Sequence, residues 1–166
     1  MASLKREIAQ EKPFSSLEQE AILNLLRTAD FFERAIQQRT RAWGITATQY
    51  NVLRILRGAE REGLTCNAIG ERMITEEPDI TRLLGRLKAL KLIRQRRDPR
   101  DRRAVRTQIA EAGLELLRRM DAEIEKAPKE LLGHMSKAEL AETIRLLEKA
   151  RRSDAQPLSC DGRKSE

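Results

Sequence analysis

The sequence predicts a mainly α-helical fold with one small β-hairpin, and three observations predict it. Apolar residues recur at the i, i+3, i+4, i+7 spacing of a buried helix stripe in six separate stretches. Capping residues stand ahead of most of these stretches, and glycine closes several. Residues 79–108, DITRLLGRLKALKLIRQRRDPRDRRAVRTQ, abandon helical rhythm halfway for two short runs, 92–97 and 103–109, around a proline-containing, arginine-laden tip.

In chain order, residues 1–13 are charged and end in Pro13, which reads as an extended or fraying arm. Ser16 followed by Gln19 has the spacing of a capping box. Behind it Leu17, Ile22, Leu25, Leu26, Ala29, Phe32 and Ile36 sustain a helical stripe to about Arg41, and Gly44 stops it. Thr46 and Gln49 repeat the box ahead of Tyr50, Leu53, Ile55 and Leu56, with Gly58 ending that helix. Past a polar loop holding Gly63, Thr65 is placed to cap a short third helix with Ala68, Ile69 and Met73. Thr75 is placed to cap the fourth, with Pro78 in its first turn, where the missing N–H costs nothing. The buried stripe of that fourth helix is Ile80, Leu83, Leu84, Leu87 and Leu90. After the hairpin, Gly113 precedes Leu114, Leu116, Leu117, Met120 and Ile124 in a helix expected to run to Pro128. Ser136 and Glu139 form a third box before Leu140, Ile144, Leu146 and Leu147. Residues 153–166 contain Pro157, Gly162 and little apolar content, and are expected to be disordered.

This order is that of a winged helix-turn-helix, about residues 46–110, inside a single domain spanning 14–152. The short third helix and basic fourth make the helix-turn-helix, and the hairpin is its wing. The long first helix and the last two, about residues 15–42 and 112–152, carry more apolar stripe than one small winged domain can cover. A second copy of the chain is the simplest partner, which makes these a helical dimerisation region. A two-fold dimer also sets paired recognition helices on half-sites about one DNA turn apart.

Charge points the same way. Residues 79–108 hold eleven Lys and Arg against three Asp, whereas the whole protein has a net charge of +7, so the remainder is close to neutral. A helix with a basic outer face followed by a basic hairpin suits duplex nucleic acid. Aromatic residues make up 3% of the chain, too few for the stacking platforms of single-strand and RNA binders. No apolar run approaches the ~20 residues of a membrane span, and MASLKREIAQEKPF lacks the apolar core of a signal peptide. Cys66 and Cys160 show no spacing of a disulfide framework, so a cytoplasmic protein is expected.

Four motifs carry a family resemblance over about residues 15–150. They are Thr48-Gln-Tyr-Asn-Val-Leu-Arg-Ile-Leu56, Pro78-Asp-Ile-Thr-Arg-Leu-Leu84, Asp98-Pro-Arg-Asp-Arg-Arg103 at the wing, and Leu132-Gly-His-Met-Ser-Lys-Ala-Glu-Leu140. In this order they resemble the MarR (multiple antibiotic resistance regulator) family of bacterial transcription factors, the wing motif being the most specific. The resemblance implies a homodimer on a pseudopalindromic operator, usually repressing, and released by a small, often phenolic or lipophilic effector. Two positions depart from the family pattern: Lys91 stands where relatives often have Gly, and Ala110 where they often have a capping Thr.

Thr81, Arg82 and Arg86 lie on the outer face of the fourth helix, where an arginine can pair bidentately with guanine. Gly85 on the same face allows close approach. Glu76, Glu77 and Asp79 would repel phosphate but favour a helix N-terminus. In the wing, Arg100 or Arg102 is the candidate for the minor groove, where narrow A·T tracts attract arginine. Arg94, Arg96 and Arg97 are candidates for phosphate contacts and Arg103 is a further DNA-binding candidate, while Asp98 and Asp101 can brace the hairpin. The plain alternative for all of these is a solvated basic surface. Base-reading Arg and Thr beside small Gly85 and Ala89 suit a groove, whereas a protein-interaction module would show apolar or aromatic anchors.

Other readings are weaker. Cys66 at a helix start invites a thiol-based redox regulator, though redox-sensing relatives place their cysteine in the first helix, and a small packing residue explains it as well. His134, the single histidine, lacks clustered ligands and reads as a helix-end residue, so no metal is expected. No Ser-His-Asp set, glycine-rich phosphate loop or paired acids occur in a recognisable context, so neither an enzyme nor a cofactor is expected. Trp43, Phe31, Phe32 and Tyr50 read as core, or as lining of an effector pocket whose residues the sequence does not assign.

Overall fold

A computed structural model of the chain describes residues 3–59, 62–98 and 103–152. It contains α1 (Leu4–Glu7), α2 (Leu17–Arg41), α3 (Ala47–Arg57), α4 (Cys66–Gly70), α5 (Ile80–Ala89), β1 (Ile93–Arg97), β2 (Val105–Ile109), α6 (Glu111–Ile124), α7 (Lys126–Leu132) and α8 (Lys137–Ala150). The chain divides into two compact units, within residues 1–127 and 128–166.

The first unit starts with a departure: the stretch read as an extended arm contains the helical turn α1, whose Leu4 is buried and whose Glu7 pairs with Arg27 of α2 at 3.6 Å. At the head of α2 the Ser16 hydroxyl accepts the Gln19 N–H, but the Gln19 side chain turns to the backbone N–H of Ser15, at 2.8 Å. The expected box is thus half made, its return bond displaced one residue upstream. The helix ends as expected, with Gly44 in the left-handed region at φ 76°. Thr46 and Gln49 complete a full capping box on α3, and Thr65 caps α4.

The cap of α5 corrects the sequence reading. Asp79, not Thr75, accepts the Arg82 N–H, at 2.8 Å, and Pro78 lies just outside the helix. Proline disfavours α geometry at the residue before it, here Glu77, so a helix entered from Thr75 is interrupted. The acidic cap also favours the positive end of the helix dipole.

Val52, Leu53 and Leu56 of α3, Leu83, Leu84 and Leu87 of α5, and Leu117 and Met120 of α6 form the core, with Ile69 between them. Each such side chain contributes about 1.5–3 kcal/mol on burial. Arg57 of α3 grips Asp121 of α6 through both carboxylate oxygens, at 2.9 and 2.7 Å. Gly113 lies inside α6 rather than ahead of it; a Cβ there would stand 2.3 Å from the Leu92 carbonyl oxygen, so only glycine permits this approach. Ala110 begins α6 with no side-chain cap, and the helix still starts at Glu111.

Pro128 does not end a helix, which is a second correction. It is the third residue of α7, where backbone N–H groups have no intrahelical acceptor to lose. In the second unit, Ser136 and Glu139 form the expected capping box on α8. No residue of α8 is buried, and Ile144 and Leu146 are exposed.

Candidate nucleic-acid interface

Helix α5 is oriented by its apolar stripe. With Leu83, Leu84 and Leu87 buried, Thr81, Arg82, Gly85, Arg86 and Ala89 are left on the exposed side. A Cβ at Gly85 would meet nothing within 4 Å, so no neighbour among the described residues demands glycine there. Asp79 caps the backbone of Arg82 rather than orienting a guanidinium.

The end of α5 shows how Lys91 replaces a glycine. Its φ is 59°, the left-handed region, and its N–H donates to the Lys88 carbonyl while Leu92 N–H reaches back to Leu87. This is a Schellman closure with buried Leu87 and Leu92 at its apolar contact. The helix therefore ends as a glycine would end it, at some cost in backbone strain.

From this turn the chain enters the wing. β1 and β2 pair antiparallel from Ile93↔Ile109 to Arg97↔Val105. Leu64, in the α3–α4 loop, adds a third rung by exchanging backbone hydrogen bonds with Thr107 at 2.9 and 2.7 Å. Ile93 and Thr107 face inward and are buried, while Arg94 and Arg96 are exposed. Arg94 donates to the Gln108 side chain at 3.2 Å. Arg97 and Arg103 are exposed. Asp98, 5% exposed, takes an ion pair from Arg106 Nε, and Arg106 Nη1 donates to the Gly63 carbonyl at 3.1 Å. Arg100, Asp101 and Arg102, including both minor-groove candidates, lie outside the described residues.

Sequence reasoning counted Arg106 as basic charge and missed its partner. The signal was present: antiparallel pairing of 92–97 with 103–109 brings residue 106 across from 96 and close to 98. The remaining sequence candidates scatter. Cys66 is half-buried against the core at the first position of α4, and His134 is exposed. Among the described residues no group of three or more His, Cys, Asp or Glu is arranged to hold a metal ion, and no helix is long and apolar enough to cross a membrane.

The aromatic residues separate into two clefts. Phe32 and Tyr50 line one of about 340 Å³ between α2, α3 and residues 74–75, together with Ile36, Asn51, Arg54 and Ile74. Burial there raises the Tyr50 phenol pKa, with nearby Arg54 opposing the rise, and the Arg54 guanidinium lies 5.9 Å from the Tyr50 ring centre. Trp43 lines a second cleft of about 440 Å³ with Leu90, Leu92 and Leu116, and Arg119 stacks on its indole at 5.2 Å. Phe31 packs edge-on against Phe32 at 5.4 Å and is otherwise exposed.

A capped, outward-facing basic helix followed by a basic hairpin defines a winged helix-turn-helix whose exposed face suits duplex DNA. The family model described as MarR family matches residues 43–104. A MarR transcription factor from Planctomyces limnophilus is 38% identical, with 82% of this chain and 99% of that one covered and a TM-score of 0.63. BpsR of Bordetella bronchiseptica, whose DNA binding is regulated by 6-hydroxynicotinic acid, is 26% identical over 86% of this chain and 100% of its own, with a TM-score of 0.73. MepR of S. aureus, solved as a DNA complex, shares the fold at 23% identity and a TM-score of 0.70, over 77% of this chain and 94% of its own. The chain belongs to the MarR family.

Proposed function

We propose that the protein is a homodimeric repressor that reads a pseudopalindromic DNA operator and is released by a small effector. The observation that carries the DNA reading is the outer face of α5, where Thr81, Arg82 and Arg86 are exposed together while the opposite face is locked into the core. In this reading Arg82 and Arg86 contact base edges and phosphates, Arg94, Arg96, Arg97 and Arg103 contact phosphates, and Arg100 or Arg102 enters the minor groove. Asp98 and Asp101 brace the wing. The likeness to MepR bound to DNA supports the placement of helix and wing.

Dimerisation is supported by apolar side chains left open in the single chain: Leu17, Ile22, Leu25 and Leu26 on α2, and Ile144 and Leu146 on α8. Effector release is supported by the cleft holding Phe32, Tyr50 and Ile74, which adjoins the residues leading into α5, and by the regulation of BpsR by 6-hydroxynicotinic acid. The test is fluorescence anisotropy of the purified protein with DNA from upstream of its own gene, beside a scrambled duplex, at two salt concentrations. Binding that favours the upstream DNA and weakens by about 1–3 kcal/mol in Arg82→Ala supports the proposal. Equal, steeply salt-sensitive binding to both duplexes leaves only a basic surface, and no binding at low salt rejects the reading.

A further inference from the structure

We propose that Arg106 is a positioning residue, whose guanidinium clamps the wing to the α3–α4 loop inside the protein and contacts no phosphate. The inference rests on the DNA-binding reading above. Three features of the hairpin carry it.

The register sets Arg106 directly opposite Arg96. Like charges facing each other across a strand pair are destabilising unless neutralised. Here the neutralising group is internal: Asp98, 5% exposed, accepts from Arg106 Nε. A carboxylate so buried is tolerated only with a cation and hydrogen bonds around it.

The other arm of the guanidinium reaches the neighbouring loop. Nη1 donates to the Gly63 carbonyl at 3.1 Å and lies 3.9 Å from the Glu62 carboxylate. The loop at that point is pressed against β2. Gly63 sits at φ 77°, and a Cβ on it would stand 2.6 Å from the Thr107 carbonyl oxygen. Leu64 and Thr107 exchange backbone hydrogen bonds immediately beside it. The loop therefore serves as a short third strand, and Arg106 ties its carbonyl to the far end of the paired strands, one rung short of the tip.

Leverage makes such a clamp matter. Five-residue strands are about 17 Å long at ~3.3 Å per residue, so a tilt of roughly 10° at the root displaces the tip by about 3 Å. That exceeds the useful range of a hydrogen bond. Arg106 thus acts on DNA through the direction of the wing, while exposed Arg97 is placed to meet phosphate itself.

The test compares full-length R106Q, R106K, D98N/R106Q and R97Q with the unmodified protein. Binding to a duplex from the protein's own upstream region is followed from 50 to 200 mM salt, and amide hydrogen exchange of β1 and β2 is measured without DNA. The expected result for R106Q is binding weakened about tenfold with the slope of log K against log salt unchanged, and faster hairpin exchange. D98N/R106Q should be no weaker than R106Q, because the carboxylate that needed the cation is gone. R106K, which keeps the charge without the fork, should fall between and gives a folded comparison if R106Q unfolds. R97Q should lose about 0.9 in slope with exchange unchanged. An R106Q slope that drops by about 0.9 with exchange unchanged makes Arg106 a phosphate ligand and overturns the proposal. Unchanged exchange alone also overturns it. If the unmodified protein binds no duplex, the DNA reading falls by itself, and exchange still decides whether the clamp exists.

Discussion

Helices α2 and α5 are both amphipathic, but their apolar stripes have opposite fates. On α5, Leu83, Leu84 and Leu87 are 6, 2 and 0% exposed. On α2, Leu17, Ile22 and Leu26 remain 81, 57 and 62% exposed. The shorter helix is completed by its own chain, and this fixes which of its faces looks outward. The longer one presents a contiguous apolar strip of the kind that marks an interaction surface rather than a finished monomer. One stripe therefore belongs to the fold, and the other to the proposed assembly.

The comparison can be broken most severely at Leu87. Leu87→Ala removes a fully buried side chain at the centre of the core and should lower unfolding stability by about 3–4 kcal/mol, measured by urea denaturation. A loss under about 1 kcal/mol would mean that the stripe of α5 does not hold the reading head in place. Leu26→Asp attacks the other stripe. It should leave far-UV helicity intact but weaken self-association by on the order of 2 kcal/mol, about thirtyfold in Kd. Analytical ultracentrifugation over a concentration series reads this directly. A Leu26→Asp protein that associates as the unmodified chain does would place the dimer surface elsewhere.

The same contrast explains what was legible in the sequence. The capping signals at Thr46, Thr65 and Ser136 are local, and the structure bears them out. Of the α5 stripe it buries Leu83, Leu84 and Leu87, half-buries Ile80, and leaves Leu90, past the last helical turn, exposed. The cap of α5 was misread because two acceptable N-caps, Thr75 and Asp79, flank one proline, and choosing between them requires the effect of Pro78 on Glu77. Pro128 was misread because proline both stops helices and is tolerated in their first turn. At the wing, the sequence showed the charge but not its partition. Which arginine faces solvent and which faces Asp98 depends on strand register and on a loop some 40 residues earlier in the chain, and composition holds neither. The exposed basic face of α5 was readable because helical periodicity alone separates its two sides.

Smaller effects sharpen the picture of how α5 ends and what it presents. At the end, Lys91 adopts φ 59° in a closure otherwise suited to glycine. Lys91→Gly relieves the left-handed strain but gives the unfolded chain more freedom, so the net gain should be about 1 kcal/mol or less. Thermal unfolding would show a rise of a few degrees. A loss of stability instead would mean that the lysine side chain contributes more than its backbone costs.

On the presented face, Gly85→Ala separates the needs of the fold from those of the ligand. The position is mid-helix and exposed, and an added methyl would touch nothing within 4 Å. Helix propensity alone then favours Ala by about 0.8–1 kcal/mol. Among the described residues nothing opposes the substitution, so a loss of duplex binding caused by it would report a close approach of DNA to this turn. Gly85→Ala should raise the unfolding midpoint slightly while weakening duplex binding, two effects of opposite sign from one methyl group. A stabilised protein that binds the same duplex equally well would show that the groove does not approach this turn of α5, and would move the contact toward Arg82 at the start of the helix.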